Sequence, residues 1–262
     1  MQIRPPQPRF RHKTMKQPFA IKESLRVGWR TMRTHSALVF QVVLTMFALQ
    51  VAYEVVNKVL ADSALGVVAA FVFTLLMIVA GVGSAIISLK LVRKEAAQYR
   101  DIIPSQKILM RSVVSGLLAA LLVLLPLVVA VLVVVLVGVS SGIAPTFSEW
   151  ARSPVQEHIF AAALFAVVVA SALVCAGYIM LRYSLARFAV IDGARIVESL
   201  RTSAALVRGQ VWRLLGFFAA LALLNIAGAL FFLVGLLITV PVSMLAYAHV
   251  YNQLQARVEK AR

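Results

Sequence analysis

A hydrolytic dyad could be drawn from Ser84 and His249, which fall in different apolar stretches of this chain. A histidine activates a serine only by accepting its proton through a hydrogen bond. Ser84, however, belongs to the small-residue run Gly81-Val-Gly83-Ser84-Ala85, where serine ordinarily serves close helix packing. The aspartates Asp62, Asp101 and Asp192 all fall between apolar stretches, which excludes the paired-aspartate chemistry of an intramembrane protease. No Walker sequence, HExxH helix or CxxC metal spacing occurs. The expectation is a protein that is not an enzyme, with no cofactor and no metal.

Two other sets of residues could bind rather than react. Asn225, Tyr247, His249, Tyr251 and Asn252 form a candidate polar cluster in the last two apolar stretches. Polar side chains at membrane depth are functional candidates, and the competing account is hydrogen bonding between helices plus an interfacial aromatic belt. The second set is basic and aromatic: Lys22, Arg26, Arg30, Arg33 and Trp29 in one segment, Arg201, Arg208 and Trp212 in another. Arginines beside an apolar helix face can reach the phosphates of anionic lipid.

The elements that position them follow from periodicity. On a helix over Phe19–Thr34, Ile21, Leu25, Trp29 and Met32 form one stripe with the basic residues beside it. In the segment Arg182–Arg213, around which the chain reads as organised, Ile196, Val197, Leu200, Ala204, Val207 and Val211 share one sector of about 100°. Ile21-Lys-Glu-Ser-Leu-Arg26 and Ile196-Val-Glu-Ser-Leu-Arg201 align, and the register holds to Arg33 and Arg208. The middle basic loop carries a shorter relative, with Ser105 after Pro104 as a helix N-cap. Three units result, each a basic interfacial helix followed by a hairpin.

Five charge-free intervals supply the hairpins. A spanning helix needs about 20 apolar residues, and the last interval is long enough for two with a turn near Gly235. The predicted fold is all-α and polytopic, with six spans at about 37–56, 65–89, 113–139, 159–181, 212–232 and 236–252 of a single membrane domain, 19–262. Pro126 is expected to kink the third. The lone Cys175, in the fourth, is expected to be a small buried hydrophobe.

Of 26 Lys and Arg, only Lys58 and Arg152 fall on one side of this threading. The positive-inside rule then places both termini in the cytoplasm. The net charge of +16 is accounted for by loops facing anionic lipid heads, so nucleic acid is not expected as a partner. Residues 1–18, basic and rich in proline, read as a disordered cytoplasmic tail rather than a cleavable signal peptide.

Within the third unit, Arg187-Phe-Ala, Asp192-Gly193, Glu198-Ser-Leu, Ser203, Arg208-Gly209 and Trp212 stand in a recognisable order. Gly228, Gly235, Thr239-Val-Pro241, Ala246 and Tyr251 continue it, and IKESLRVGW and LKLVRKEAAQYRDII fit as well. The chain resembles the bacterial six-span membrane proteins related to the membrane domain of glycerophosphoryl diester phosphodiesterases. That resemblance implies a bacterial inner membrane and a fold, and little chemistry; the hydrolase domain that some relatives carry is not expected. In physical terms Asp192 is expected to be the N-cap of the helix that follows, and Gly209 to end that helix.

The function expected is a lipid-interacting scaffold or accessory subunit. Its partners are the bilayer, anionic phospholipids and a membrane protein. The alternative is a transporter or flippase for a lipid-like or amphipathic substrate.

Overall fold

The computed structural model describes residues 20–60, 63–140, 155–230 and 235–260. These are almost entirely helical, without a strand among them: α1 Ile21–Thr34, α2 Ser36–Leu60, α3 Ala64–Val92, a 3-10 turn at Tyr99–Ile102, α4 Gln106–Ser140, α5 Val155–Tyr183, α6 Ala186–Ile191, α7 Ile196–Val207, α8 Val211–Leu230 and α9 Leu236–Lys260. Five helical stretches among the described residues are long and apolar enough to cross a membrane, namely Ser36–Leu60, Ala64–Val92, Gln106–Leu136, Ala163–Ile191 and Val211–Leu230. The expected basic tail, 1–18, and most of the loop between the third and fourth spans lie outside the described residues.

The sixth expected span falls on α9, which is a helix but is not among those five; His249, Asn252, Gln253 and Gln255 dilute its apolar character. Those residues sit in a helix whose other faces are deeply buried. Leu245, Ala246, Ala248, Val250, Tyr251 and Leu254 are each at most 2% exposed. The chain divides into two compact units, 1–115 with 185–262, and 116–184. Within the first, α9 is the centre, touching α1, α2, α3, α7 and α8. Within this unit the central place belongs to the last helix rather than to 182–213.

The contact between α1 and α9 is the most extensive in that unit. It turns α1 away from the expected orientation: Ser24, Gly28 and Met32 are buried, whereas Trp29 is 47% exposed. The reason is proximity. A Cβ on Gly28 would lie 2.7 Å from the Val242 carbonyl oxygen and 3.0 Å from the Ala246 amide nitrogen. Only small side chains fit where two helix backbones come so near, so of the expected stripe Trp29 faces outward, Ile21 and Leu25 are half-buried and Met32 turns in. Met32 then joins Val39, Val42, Ile87, Leu91, Ile102, Val242 and Leu245 in one apolar core.

The related helix α7 behaves in the same way. Ser199, Leu200, Ser203, Leu206 and Val207 are buried, and of the expected apolar sector Leu200 and Val207 face inward while Val197 is 55% exposed. In the sequence alignment, Ser24 stands opposite Ser199, Gly28 opposite Ser203 and Met32 opposite Val207, and all six are buried. The next helices keep this register, since α2 starts at Ser36 and α8 at the aligned Val211. The repeat is therefore structural.

The middle unit departs from the expectation. Ile103 is extended, as the residue before Pro104 must be, and this ends the 3-10 turn after four residues. No separate interfacial helix forms there. Ser105 immediately precedes α4, whose 35 residues run continuously through Pro126. At 1.5 Å per residue α4 is about 52 Å long, well beyond the roughly 30 Å hydrocarbon core. Lys107 and Arg111 thus occupy its first turns. In the second unit α4 and α5 border an apolar cleft of about 290 Å³ lined by Leu127, Ala130, Val134, Phe165, Val169 and Ala172. Cys175 is on an exposed face of α5, not buried as expected.

Candidate functional site

The polar centre of the first unit lies where α3 and α9 end, and Arg93 is its hub. Arg93 caps the C-terminus of α3. Its Nη1 and Nη2 donate to the two carboxylate oxygens of Asp192 at 2.7 and 2.8 Å. Its Nε donates to Asn252 Oδ1, and Nη2 donates again to Gln255 Oε1, both at 3.0 Å. Tyr251 donates its hydroxyl to Asp192 Oδ2 at 2.8 Å. A planar guanidinium presents donors in a fork that matches a carboxylate. One side chain thereby ties the end of α3 to the α6–α7 turn and to α9.

Burial and electrostatics agree with a clamp. The Arg93 and Asp192 side chains are 28% and 19% exposed. Donating to the Asp192 carboxylate holds the guanidinium more firmly protonated than usual, against the opposing effect of burial. Asp192 reaches this place because it caps the C-terminus of the six-residue α6, and Gly193 follows with φ of 93°. It is not the N-cap of α7, as expected. That position is Arg195, whose amide is held by Glu198 at 3.3 Å. Gly209, with φ of 77°, does end α7 as expected.

Aromatic rings fill the space beneath the clamp. Phe188 of α6 stacks on Tyr251 and meets Tyr247 edge-on, both with centroids 5.2 Å apart. Phe217 and Phe218 of α8 close the other side of Tyr247. Ser115 of α4 and Ser199 of α7 share a buried hydrogen bond of 2.9 Å. Ser203 accepts from the Leu185 amide at 3.2 Å.

The expected polar cluster is therefore not one site. Tyr251 and Asn252 belong to the clamp, and Tyr247 to the aromatic group. Asn225 bonds Ser243 at 3.3 Å, and His249 lies 3.0 Å from Gln253. A helix turns 100° per residue, so neighbouring positions on α9 face different partners. Ser84 donates to the Gly81 carbonyl at 3.0 Å and is not hydrogen-bonded to His249. Among the described residues no group of three or more His, Cys, Asp or Glu could hold a metal.

The basic and aromatic set is exposed in full. Lys22, Arg26, Arg30 and Arg33 with Trp29 lie on α1, Arg201 on α7, Arg208 at its C-cap, and Trp212 in the first turn of α8, 84% exposed. Lys90 pairs with Asp101 at 2.9 Å, and Asp101 also accepts from the Gln98 amide, fixing the 3-10 turn. Arg93, Asp192 in this role, Gln255 and the buried serines were not found from sequence. The signals for them were the Asp-Gly turn and the repeated Glu-Ser-Leu-Arg, both given other roles.

Five helices long and apolar enough to cross a bilayer, among the described residues, define a multi-pass helical membrane protein. Residues 15–258 match the family described as "Protein of unknown function (DUF975)", and the chain belongs to that family. No curated protein and no solved structure matches the chain.

Proposed function

We propose that the protein is a non-enzymatic, lipid-interacting scaffold or accessory subunit of a bacterial inner membrane, with both termini in the cytoplasm. The observation that carries this reading is the pair of related helices α1 and α7, each burying a small-residue face while Arg26, Arg30, Arg33, Arg201 and Arg208 stay exposed. Each basic side chain at an anionic surface contributes about 1 kcal/mol, so these with Lys22 hold the two helices to phospholipid headgroups. Trp29 and Trp212 are exposed as interfacial anchors would be. The resemblance to the membrane domain of glycerophosphoryl diester phosphodiesterases is part of the proposal and supplies a fold, not a reaction.

The test replaces Lys22, Arg26, Arg30, Arg33, Arg201 and Arg208 with glutamine and counts phosphatidylglycerol retained by the purified chain in native mass spectrometry. Clear loss is expected; unchanged retention sinks the idea. Reporter fusions at each terminus check the orientation. The in-register repeat of α1–α2 and α7–α8 favours a second reading, a transporter of lipid-like substrates. Flux of labelled lipid into reconstituted vesicles would establish it, and no flux would remove it.

A further inference from the structure

The 3-10 turn between α3 and α4 does not stand off the end of its helices; it folds back along their side. Two contacts fix its level. A Cβ on Gly83 of α3 would collide with the Ile102 carbonyl oxygen, and the Tyr99 hydroxyl lies 2.7 Å from Thr45 Oγ1 of α2. Thr45 donates to the Gln41 carbonyl at 2.8 Å, so Tyr99 is the donor in that pair. Gly83 is six residues, about 9 Å, inside the end of the apolar stretch at Leu89. Thr45 is eight residues, about 12 Å, inside the start of its own stretch at Ala37. The length of the Tyr99 side chain accounts for the difference. Ile102 is buried in one core with Met32, Ile87 and Leu245, which holds the turn at this level.

Non-helical backbone at such a depth has to satisfy its polar groups within the protein. The Gln98 amide donates to Asp101 Oδ2, the Asp101 amide to the Gln98 carbonyl and the Ile103 amide to the Arg100 carbonyl. Lys90 neutralises Asp101. The side chains turned outward are Tyr99, Arg100 and Ile103, the last 73% exposed. Leu44 and Phe47, which flank Thr45 on α2, are exposed as well. On a helix that crosses a bilayer those two side chains face hydrocarbon, so Tyr99 and Ile103 continue a lipid-facing surface. Arg100 has a stem long enough to lie along that surface with its charged head at the phosphates.

We infer that the turn 98–103 is a membrane-inserted lip. Tyr99 and Ile103 enter the acyl edge of the leaflet nearer the Arg93 clamp, and Arg100 reaches back to its headgroups. The level of Gly83 matches the roughly 5–10 Å at which interfacial elements bury their apolar faces. This lipid contact goes beyond the basic helices α1 and α7, and it rests only on the chain crossing a membrane.

The test places a nitroxide at position 103 (I103C in a C175S background) in the full chain, reconstituted into phosphatidylethanolamine–phosphatidylglycerol vesicles. L44C is the lipid-facing reference. E95C is the aqueous one, since the Glu95 amide bonds the Lys90 carbonyl at the end of α3. Collisions with oxygen, which concentrates in hydrocarbon, are compared with collisions with a water-soluble nickel chelate. The oxygen-to-nickel ratio at 103 is expected to approach that at 44 and to exceed that at 95 several-fold. A ratio at 103 equal to that at 95 overturns the inference, and so does shielding from both reagents, which would mean that protein covers the turn. A benzophenone at position 103 is the second measurement. Adducts with phospholipid are expected; crosslinks to a second chain without lipid adducts would assign a protein interface instead and remove the lip. In the K22Q/R26Q/R30Q/R33Q/R201Q/R208Q variant the label at 103 should stay in lipid while phosphatidylglycerol retention falls. The two readings thus fail separately, the proposed function on retention and the lip on accessibility.

Discussion

Arg93 grips both carboxylate oxygens of Asp192 across 99 residues of sequence, and Tyr251 donates to the same carboxylate. Three separate parts of the first unit meet through that one fork. Removing one partner strands the other, partly buried and charged, and for well-buried pairs this costs about 3–5 kcal/mol. With about a quarter of the Arg93 side chain in contact with solvent, screening lowers the figure to about 1–3 kcal/mol. R93A and D192A are expected to destabilise by that amount, R93K by nearly as much because an ammonium has no fork. The double variant should cost less than the two singles together. Denaturant unfolding of all four proteins in detergent checks the cycle, and simple additivity would refute the coupling.

How far the sequence reaches is set by which forces are local. The spans were legible because crossing a bilayer demands length without charge, and α2, α3 and α8 begin within one residue of the expected positions. The repeat was legible from Glu-Ser-Leu-Arg. Its packing face was not, since serine and glycine look polar or neutral in an amphipathic pattern, and only the approach of α9 to Gly28 makes them the buried side. The clamp was hidden for another reason. The polar residues that dilute α9 as a span, Asn252 and Gln255, are the ones Arg93 uses, and no periodicity links positions so far apart.

The closeness of α1 and α9 gives a second prediction. Any Cβ at position 28 meets backbone atoms of α9, which cannot rotate away. G28A is expected to destabilise by about 1–3 kcal/mol through overpacking, and G28L to displace α1. Gly81, with nothing within 4 Å of the same built atom, is the control. G81A should be neutral or stabilising by up to about 1 kcal/mol, the helix-propensity gain. Unfolding midpoints and accessibility of a cysteine placed at Ser24 read both effects. Equal behaviour of G28A and G81A would contradict the close crossing.

Asp101 yields a prediction in pH. The Gln98 amide first, and Lys90 after it, hold the carboxyl below its ordinary 3.8, with burial opposing. A depressed carboxylate stabilises the fold above its unfolded-state pKa, and that contribution fades as pH falls through the folded-state value. The stability gap between wild type and D101N should therefore be full at about pH 6 and close below the ordinary carboxylate pKa. Midpoints measured across that range test the sign. A gap that widens on acidification would be incompatible with it.

The buried serines of α4 and α7 give the last prediction, because their bond has a direction. Ser199 Oγ donates to the Ile196 carbonyl at 2.7 Å, so its proton is committed and Ser115 must donate to it. The two alanine substitutions are then unequal. S115A leaves Ser199 still bonded to its own helix and should cost about 0.5–1.5 kcal/mol, an ordinary hydrogen bond. S199A strands the Ser115 hydroxyl in a place where Ser115 is 1% exposed, and the penalty for an unsatisfied buried group is about 1–3 kcal/mol. Removing both hydroxyls leaves nothing stranded between them. S115A/S199A is therefore expected to be no less stable than S199A alone, and urea midpoints of the three variants decide it. A double variant less stable than both singles would mean that each serine has a partner of its own.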